Sequence, residues 1–186
     1  MNISTGRQIF KQGSSGDVAA LLQTIFISEI IRPSTSLWLV SPWISDIPVI
    51  DNRTGGFLHL EPRWPLGPVP LSEVLATALR RGTRLHIITR PPSSSFAPND
   101  PGNHNERFLN ELKQRTPEDA SLFIRKEEEQ NLHIKGLLGD RFFLSGSMNF
   151  TFNGITLNEE FVRFTTNQEE VAQARLAFEQ SWGVSV

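Results

Sequence analysis

Residues 132–151 read LHIKGLLGDRFFLSGSMNFT. Two largely apolar runs, LHIKGLL and RFFLSGS, meet at Gly139-Asp140, which reads as two strands joined by a tight turn. On a strand, residues two apart point the same way, so His133 and Lys135 share one face and Ile134 takes the other. An imidazole beside an ammonium suits a phosphate. The lysine neutralises oxygen charge, and a neutral ring nitrogen can attack phosphorus. The neighbouring positive charge helps keep His133 unprotonated. Gly136 leaves room for a close approach. After the turn, Gly146-Ser147-x-Asn149 returns the chain to the same end of the sheet. Ser147 and Asn149 can donate hydrogen bonds to the same oxygens, and Gly146 permits a backbone conformation closed to other residues.

Working outward, residues 17–31 have helical apolar spacing with Asp17 as N-cap, and Pro33 stops that helix. SLWLVSPWI (36–44) reads as a buried strand, and a long Pro- and Gly-rich segment follows it. PLSEVLATALRR (70–81) is helical, with Ser72 as a cap, and Gly82 ends it before the strand TRLHIITR (83–90). A second irregular segment containing Phe96 leads to a helix at 104–115 and a strand at 120–126. After the opening segment come a strand at 158–166 and a closing helix at 168–182. This order describes an α/β protein, an α-β-α sandwich around a mixed β-sheet. The strands at 36–44 and 83–90 are joined through a helix and so are expected to be parallel. Both long loops then leave from one sheet edge, where α/β proteins tend to bind ligands. We read residues 1–186 as a single domain without internal repeats.

Composition narrows the classes. A hydrophobic fraction of 38% with 20% charged residues is that of a soluble globular protein. No apolar run is long enough to span a bilayer, and the N-terminal stretch lacks a signal peptide's apolar centre. With no cysteines, disulfides and thiolate metal sites are excluded, and a cytoplasmic location without membrane partners is expected. The formal net charge of −2 places any phosphate binding in local clusters. The candidate clusters are Arg80, Arg81 and Arg84, and the pair Arg125 and Lys126, and each taken alone is read as a solvated face.

The spacing His133-x-Lys135, four residues, Asp140, then Gly146-Ser147-x-Asn149 resembles the HKD signature of the phospholipase D superfamily. NEEFV continues the likeness with Asn158 and Glu160. The close resemblance covers about residues 130–182, and the first half matches in its order of elements and in SPWI. The resemblance implies a phospholipase D/nuclease-like fold and a set of roles. His133 would be the nucleophile, passing through a phosphohistidine. Lys135 and Asn149 would hold phosphoryl oxygens with help from Ser147, and Glu160 would orient the imidazole. Asp140 belongs to the signature, but the tight turn also accounts for it, and its role is read as more structural than chemical. The family needs no metal, and no cofactor is expected.

Family active sites contain two such segments, whereas this chain has one. His86 lacks a lysine two residues on and is read as a strand residue, while His59 and His104 are read as surface groups in loops. The missing half is therefore expected from a second copy, in a two-fold homodimer. Small stand-alone members of the family are mostly nucleases. The resemblance thus implies a metal-independent phosphodiesterase cutting DNA or RNA, in a bacterial defence or restriction-type system with a helicase or other defence-system partner. The alternatives are a phospholipase or phosphatidyl transferase, and a non-catalytic nucleic-acid-binding subunit. Arg53, Arg63 and Trp64 in the first long loop, and Phe96 in the second, are candidates to hold phosphates or stack on bases. The other reading of Trp64 and Phe96 is that they pin their loops to the domain.

Overall fold

The structure is a computed structural model describing residues 6–10, 15–91, 101–127, 132, 135–156 and 160–183. Its first elements are strand β1 (Gly6–Phe10), helix α1 (Ser15–Ile31) and strand β2 (Ser36–Val40). On α1, Val18, Leu22, Ile25, Phe26 and Ile30 recur at helical spacing and are all buried. Every residue of β2 is buried, as a central strand covered on both faces requires. The odd residues Leu37 and Leu39 join one core cluster, and Trp38 and Val40 join another on the opposite face.

The expected strand at 36–44 ends at Val40, and Ser41–Ile44 turns across the end of the sheet. The Pro- and Gly-rich segment is more ordered than its composition implies. Strands β3 (Pro48–Asp51) and β4 (Pro68–Pro70) pair antiparallel as a separate ribbon. Between them the buried Asn52 donates to the Pro65 carbonyl and accepts from the Phe57 amide, folding the loop on itself.

Helix α2 (Leu71–Arg80) follows β4 without a break. Ser72 is not its cap. Asp46, from the preceding loop, accepts from both the amide and the hydroxyl of Ser72, each at 2.8 Å, and so supplies the N-terminal carboxylate from 26 residues away. The helix stops at Gly82, whose φ of +88° suits glycine. Its amide bonds to the Leu79 carbonyl, and the Thr83 amide bonds to that of Ala78, the paired closure of a Schellman turn.

Strand β5 (Arg84–Thr89), helix α3 (Pro101–Arg115) and strand β6 (Leu122–Lys126) come next. Strands β7 (Lys135–Leu138) and β8 (Phe143–Gly146) form the hairpin of the opening segment. The short helix α4 (Phe152–Thr156), strand β9 (Phe161–Thr165) and helix α5 (Gln168–Trp182) complete the chain. Asn167 caps α5 by accepting from the amides of Glu169 and Glu170.

The sheet has seven strands in the order β1-β9-β8-β7-β2-β5-β6. β2, β5 and β6 are parallel, and the other neighbours are antiparallel. Helices α1, α2 and α3 cover one face, and α5 packs on the other through Val171, Phe178 and Trp182. This is the expected α-β-α sandwich around a mixed sheet. At one edge of the sheet lie the C-terminal ends of β1, β2, β5, β6 and β8 and the N-terminal ends of β7 and β9. No helix among the described residues is long and apolar enough to cross a membrane.

Candidate active site

That edge carries the candidate chemistry. Lys135 is the first residue of β7 and lies opposite Gly146, while Gly136 lies opposite Val40 of β2. Lys135 shares the parity of Leu137, whose side chain joins the core on the α1–α3 side, so its stem leaves the sheet on that face. It has no ion-pair partner among the described residues. Its neighbourhood depends on glycines. A Cβ on Gly136 would sit 2.8 Å from the Leu144 carbonyl oxygen, and one on Gly146 would sit 2.0 Å from that of Phe161. With a φ of +155° as well, only glycine fits at 146. The close approach it allows seats the end of β8 against the start of β9.

Across that contact Ser147 and Glu160 meet. The Ser147 amide donates to the Phe161 carbonyl, and its hydroxyl donates to the Glu160 carboxylate while accepting the Phe161 amide. Ser147 thus bridges Glu160 and the start of β9.

Asn149 is held from the other side. Its Oδ1 lies 3.4 Å from the Ser41 hydroxyl, just past the end of β2. That hydroxyl donates to the Trp43 carbonyl at 2.8 Å and accepts the Phe150 amide at 3.3 Å. Gly154 on α4 packs against the Asn149 backbone so closely that a Cβ would meet its carbonyl oxygen at 2.3 Å. Lys135, Asn149 and the Ser147–Glu160 pair therefore stand at one sheet edge. His133 and Asn158 lie outside the described residues, as does Phe96.

Asp140 is elsewhere. It lies in the β7–β8 turn, beyond the far end of β7 from Lys135, which is itself about 10 Å away at about 3.3 Å per strand residue. One carboxylate oxygen accepts the Thr35 amide at 2.7 Å, and the other pairs with Arg175 of α5 at 2.9 Å. Burial pushes this carboxyl up, but the Thr35 hydrogen bonds and the Arg175 charge outweigh it and hold it below its ordinary value. Asp140 thus ties the α1–β2 connection and α5 to the hairpin, at the end of the hairpin away from Lys135. Nearby, Glu29 accepts the Ser34 amide and pairs with Arg141, and burial raises its carboxyl despite both partners.

Two of the first-loop candidates, Trp64 and Arg63, are held away from the Lys135 edge. Trp64 is 3% exposed, with its indole N–H donating to the Thr77 hydroxyl on α2, so it pins the loop and cannot stack on a base. Arg63 is paired with Glu61, which lies within 3.9 Å of Arg80 in the last turn of α2. The N-terminus of α2 is at the Lys135 edge, so Arg63 sits toward the opposite one. Arg53 is exposed and paired with Asp51 at 2.8 Å. Three residues at the Lys135 edge had no assigned role: Ser41, Trp43 and Asn105. Ser41 and Trp43 sit in SPWI, and Asn105 is adjacent to His104, with nothing in the spacing to mark it.

His86 is a strand residue, as its context implies. Its ring stacks between Trp38 at 3.9 Å and Phe123 at 4.9 Å on the α5 side of the sheet. Among the described residues, no group of three or more His, Asp or Glu side chains is placed to hold a metal ion.

Comparison with known proteins follows this geometry. A family model described as "Cardiolipin synthase, PLD-like domain" matches residues 67–182. No curated protein sequence matches the chain. Among solved structures, the chain is similar to Nuc, a phospholipase D family member from Salmonella typhimurium, with a TM-score of 0.59, 16% identity, and coverage of 95% of this chain and 93% of that one. It is similar to NucT from Helicobacter pylori with a TM-score of 0.57, 12% identity, and coverage of 95% and 94%. It also resembles polyphosphate kinase from Porphyromonas gingivalis, with a TM-score of 0.60 and 14% identity, across 97% of this chain but 26% of that one.

Proposed function

The chain belongs to the phospholipase D-like family, and from that premise we propose that it is a metal-independent phosphodiesterase that cleaves nucleic acid at a site shared by two copies. The observation that carries this reading is the gathering of Lys135, Asn149 and the Ser147–Glu160 pair at one sheet edge, in a sequence with a single His-x-Lys segment. One such edge is half of a two-histidine site. The fold is shared over almost the full length of this chain with Nuc and NucT.

In this mechanism His133 attacks phosphorus, and the bond to the leaving oxygen breaks. His133 of the partner subunit gives that oxygen its proton. Lys135 and Asn149 bind the equatorial oxygens as their charge grows. Glu160, held by Ser147, orients the His133 ring and stabilises its charged form. Water then attacks the phosphohistidine, loses a proton to the partner's His133, and releases the phosphomonoester. The two copies line one groove with both sets of cations, which lets a chain of net charge −2 hold a polyanion.

The test is cleavage of labelled single- and double-stranded DNA, RNA and a phosphatidyl lipid with chelator present. Nucleic-acid cleavage that persists in EDTA and disappears in His133→Ala is the expected result. The description of the family model favours phosphatidyl transfer as a second reading. Turnover of the lipid alone would establish it in place of the first.

A further inference from the structure

A second group of residues stands at the Lys135 edge. Trp43 follows the end of β2 and Arg90 follows the end of β5, the neighbouring parallel strand. Loops leaving such strand ends are where α/β sheets bind ligands. The Arg90 guanidinium carbon lies 4.5 Å from the centroid of the Trp43 ring, and both residues are half-buried.

The pair rests on a built support. Asn105 of α3 is fully buried, and its side-chain amide is used three times. It accepts the Ile44 amide at 2.7 Å, and it donates to the Pro42 carbonyl at 2.9 Å and the Arg90 carbonyl at 3.1 Å. It therefore clamps the backbone on both sides of Trp43 to the backbone of Arg90. Thr89 adds a bond from its hydroxyl to the Pro42 carbonyl. Ser41 connects this support to the reacting edge, since its hydroxyl bonds the Trp43 carbonyl and lies against Asn149. The Trp43 backbone is thus no more than two hydrogen-bond lengths, about 6 Å, from Asn149. That places the loop carrying Trp43 beside a phosphate held at Asn149.

We propose that Trp43 and Arg90 bind the nucleotide flanking the scissile phosphate, with the indole stacking on its base and the guanidinium pairing with its phosphate, which makes single-stranded nucleic acid the substrate class. The inference rests on the phosphodiesterase reading above. A base in a duplex is already stacked on both sides, whereas a base in a single strand can turn onto an aromatic ring. The contact is indifferent to sequence because every base has a π-face.

The test compares two fluorescent single strands of equal length, one with natural bases and one abasic throughout, by anisotropy. Full-length protein carrying His133→Ala serves as the binding host so that the strands stay intact. The host should bind the natural strand about tenfold more tightly, the order of one base–aromatic stack. Adding Trp43→Ala should bring the two affinities together. Trp43→Phe, which keeps a smaller ring and the packing, should give an intermediate gap. Arg90→Gln should weaken both strands alike. Equal binding of the two strands by the host, no binding of either, or a gap that survives both Trp43 substitutions would overturn the platform. Wild-type protein is assayed separately for cleavage. Base-dependent binding without cleavage would overturn the phosphodiesterase reading and leave the platform standing, and cleavage without base preference would do the reverse.

Discussion

The hydroxyl of Ser147 donates to the carboxylate of Glu160, across 13 residues of sequence. A hydroxyl has one proton, and we expect Ser147 to act on the reaction through Glu160. Ser147→Ala should therefore lower kcat about tenfold and leave KM for an oligonucleotide unchanged. Ser147→Thr, which restores the hydroxyl, should recover most of the loss. Steady-state kinetics decide it. A raised KM with kcat intact would mean that Ser147 binds substrate directly.

Asp140 should matter for folding and not for chemistry. Asp140→Ala removes the acceptor of the Thr35 amide and the partner of Arg175. Hydrogen bonds to a charged group contribute about 1.5–3 kcal/mol, so urea denaturation should show a loss of that order. The folded variant should keep kcat within about threefold of wild type. A hundredfold drop in kcat at unchanged stability would return Asp140 to the reacting centre.

Much of this organisation is legible in the sequence, for local reasons. Helix α5 is bounded by its own cap, Asn167, and its buried residues recur at helical spacing through Trp182. The hairpin of β7 and β8 is legible because Gly139-Asp140 marks the turn and the apolar runs flank it. What the sequence hides is non-local. β1 pairs with β9, about 150 residues away, and no short-range pattern announces that pairing. The cap of α2 comes from Asp46, not from the adjacent Ser72. Trp64 looks like a loop aromatic open to a ligand until Thr77 on another element takes its N–H. The site divides the same way. The spacing from Lys135 to Asn149 is fixed by one hairpin and can be read. The links from Ser147 to Glu160, and from Ser41 and Asn105 to the Trp43–Arg90 pair, depend on strands meeting at one edge.

The stacked His86 gives the fold an acid sensitivity of known sign. Burial, then the charges of Arg84 and Arg175, lower its pKa from 6.5 to about 4. The folded state keeps the ring neutral, while the unfolded chain takes up a proton below about 6.5. The resulting stability is fully present above pH 6.5 and is lost as pH falls toward about 4. Because the ring is only half-buried, solvent screening reduces the effect to roughly 1–2 kcal/mol. His86→Phe should flatten the decline in unfolding free energy between pH 7 and 4.5, measured in urea. An unchanged slope would mean that the ring protonates freely in the folded protein.

The most direct measurement of the shared site is subunit mixing. Wild-type protein and His133→Ala are combined in varied ratios, allowed to exchange, and assayed for oligonucleotide cleavage in EDTA. A site that needs a nucleophile from one copy and an acid from the other works only when both histidines are present. Activity should then fall as the square of the wild-type fraction. A linear decline, or full cleavage by a species that sediments as a monomer at assay concentration, would contradict the two-copy site.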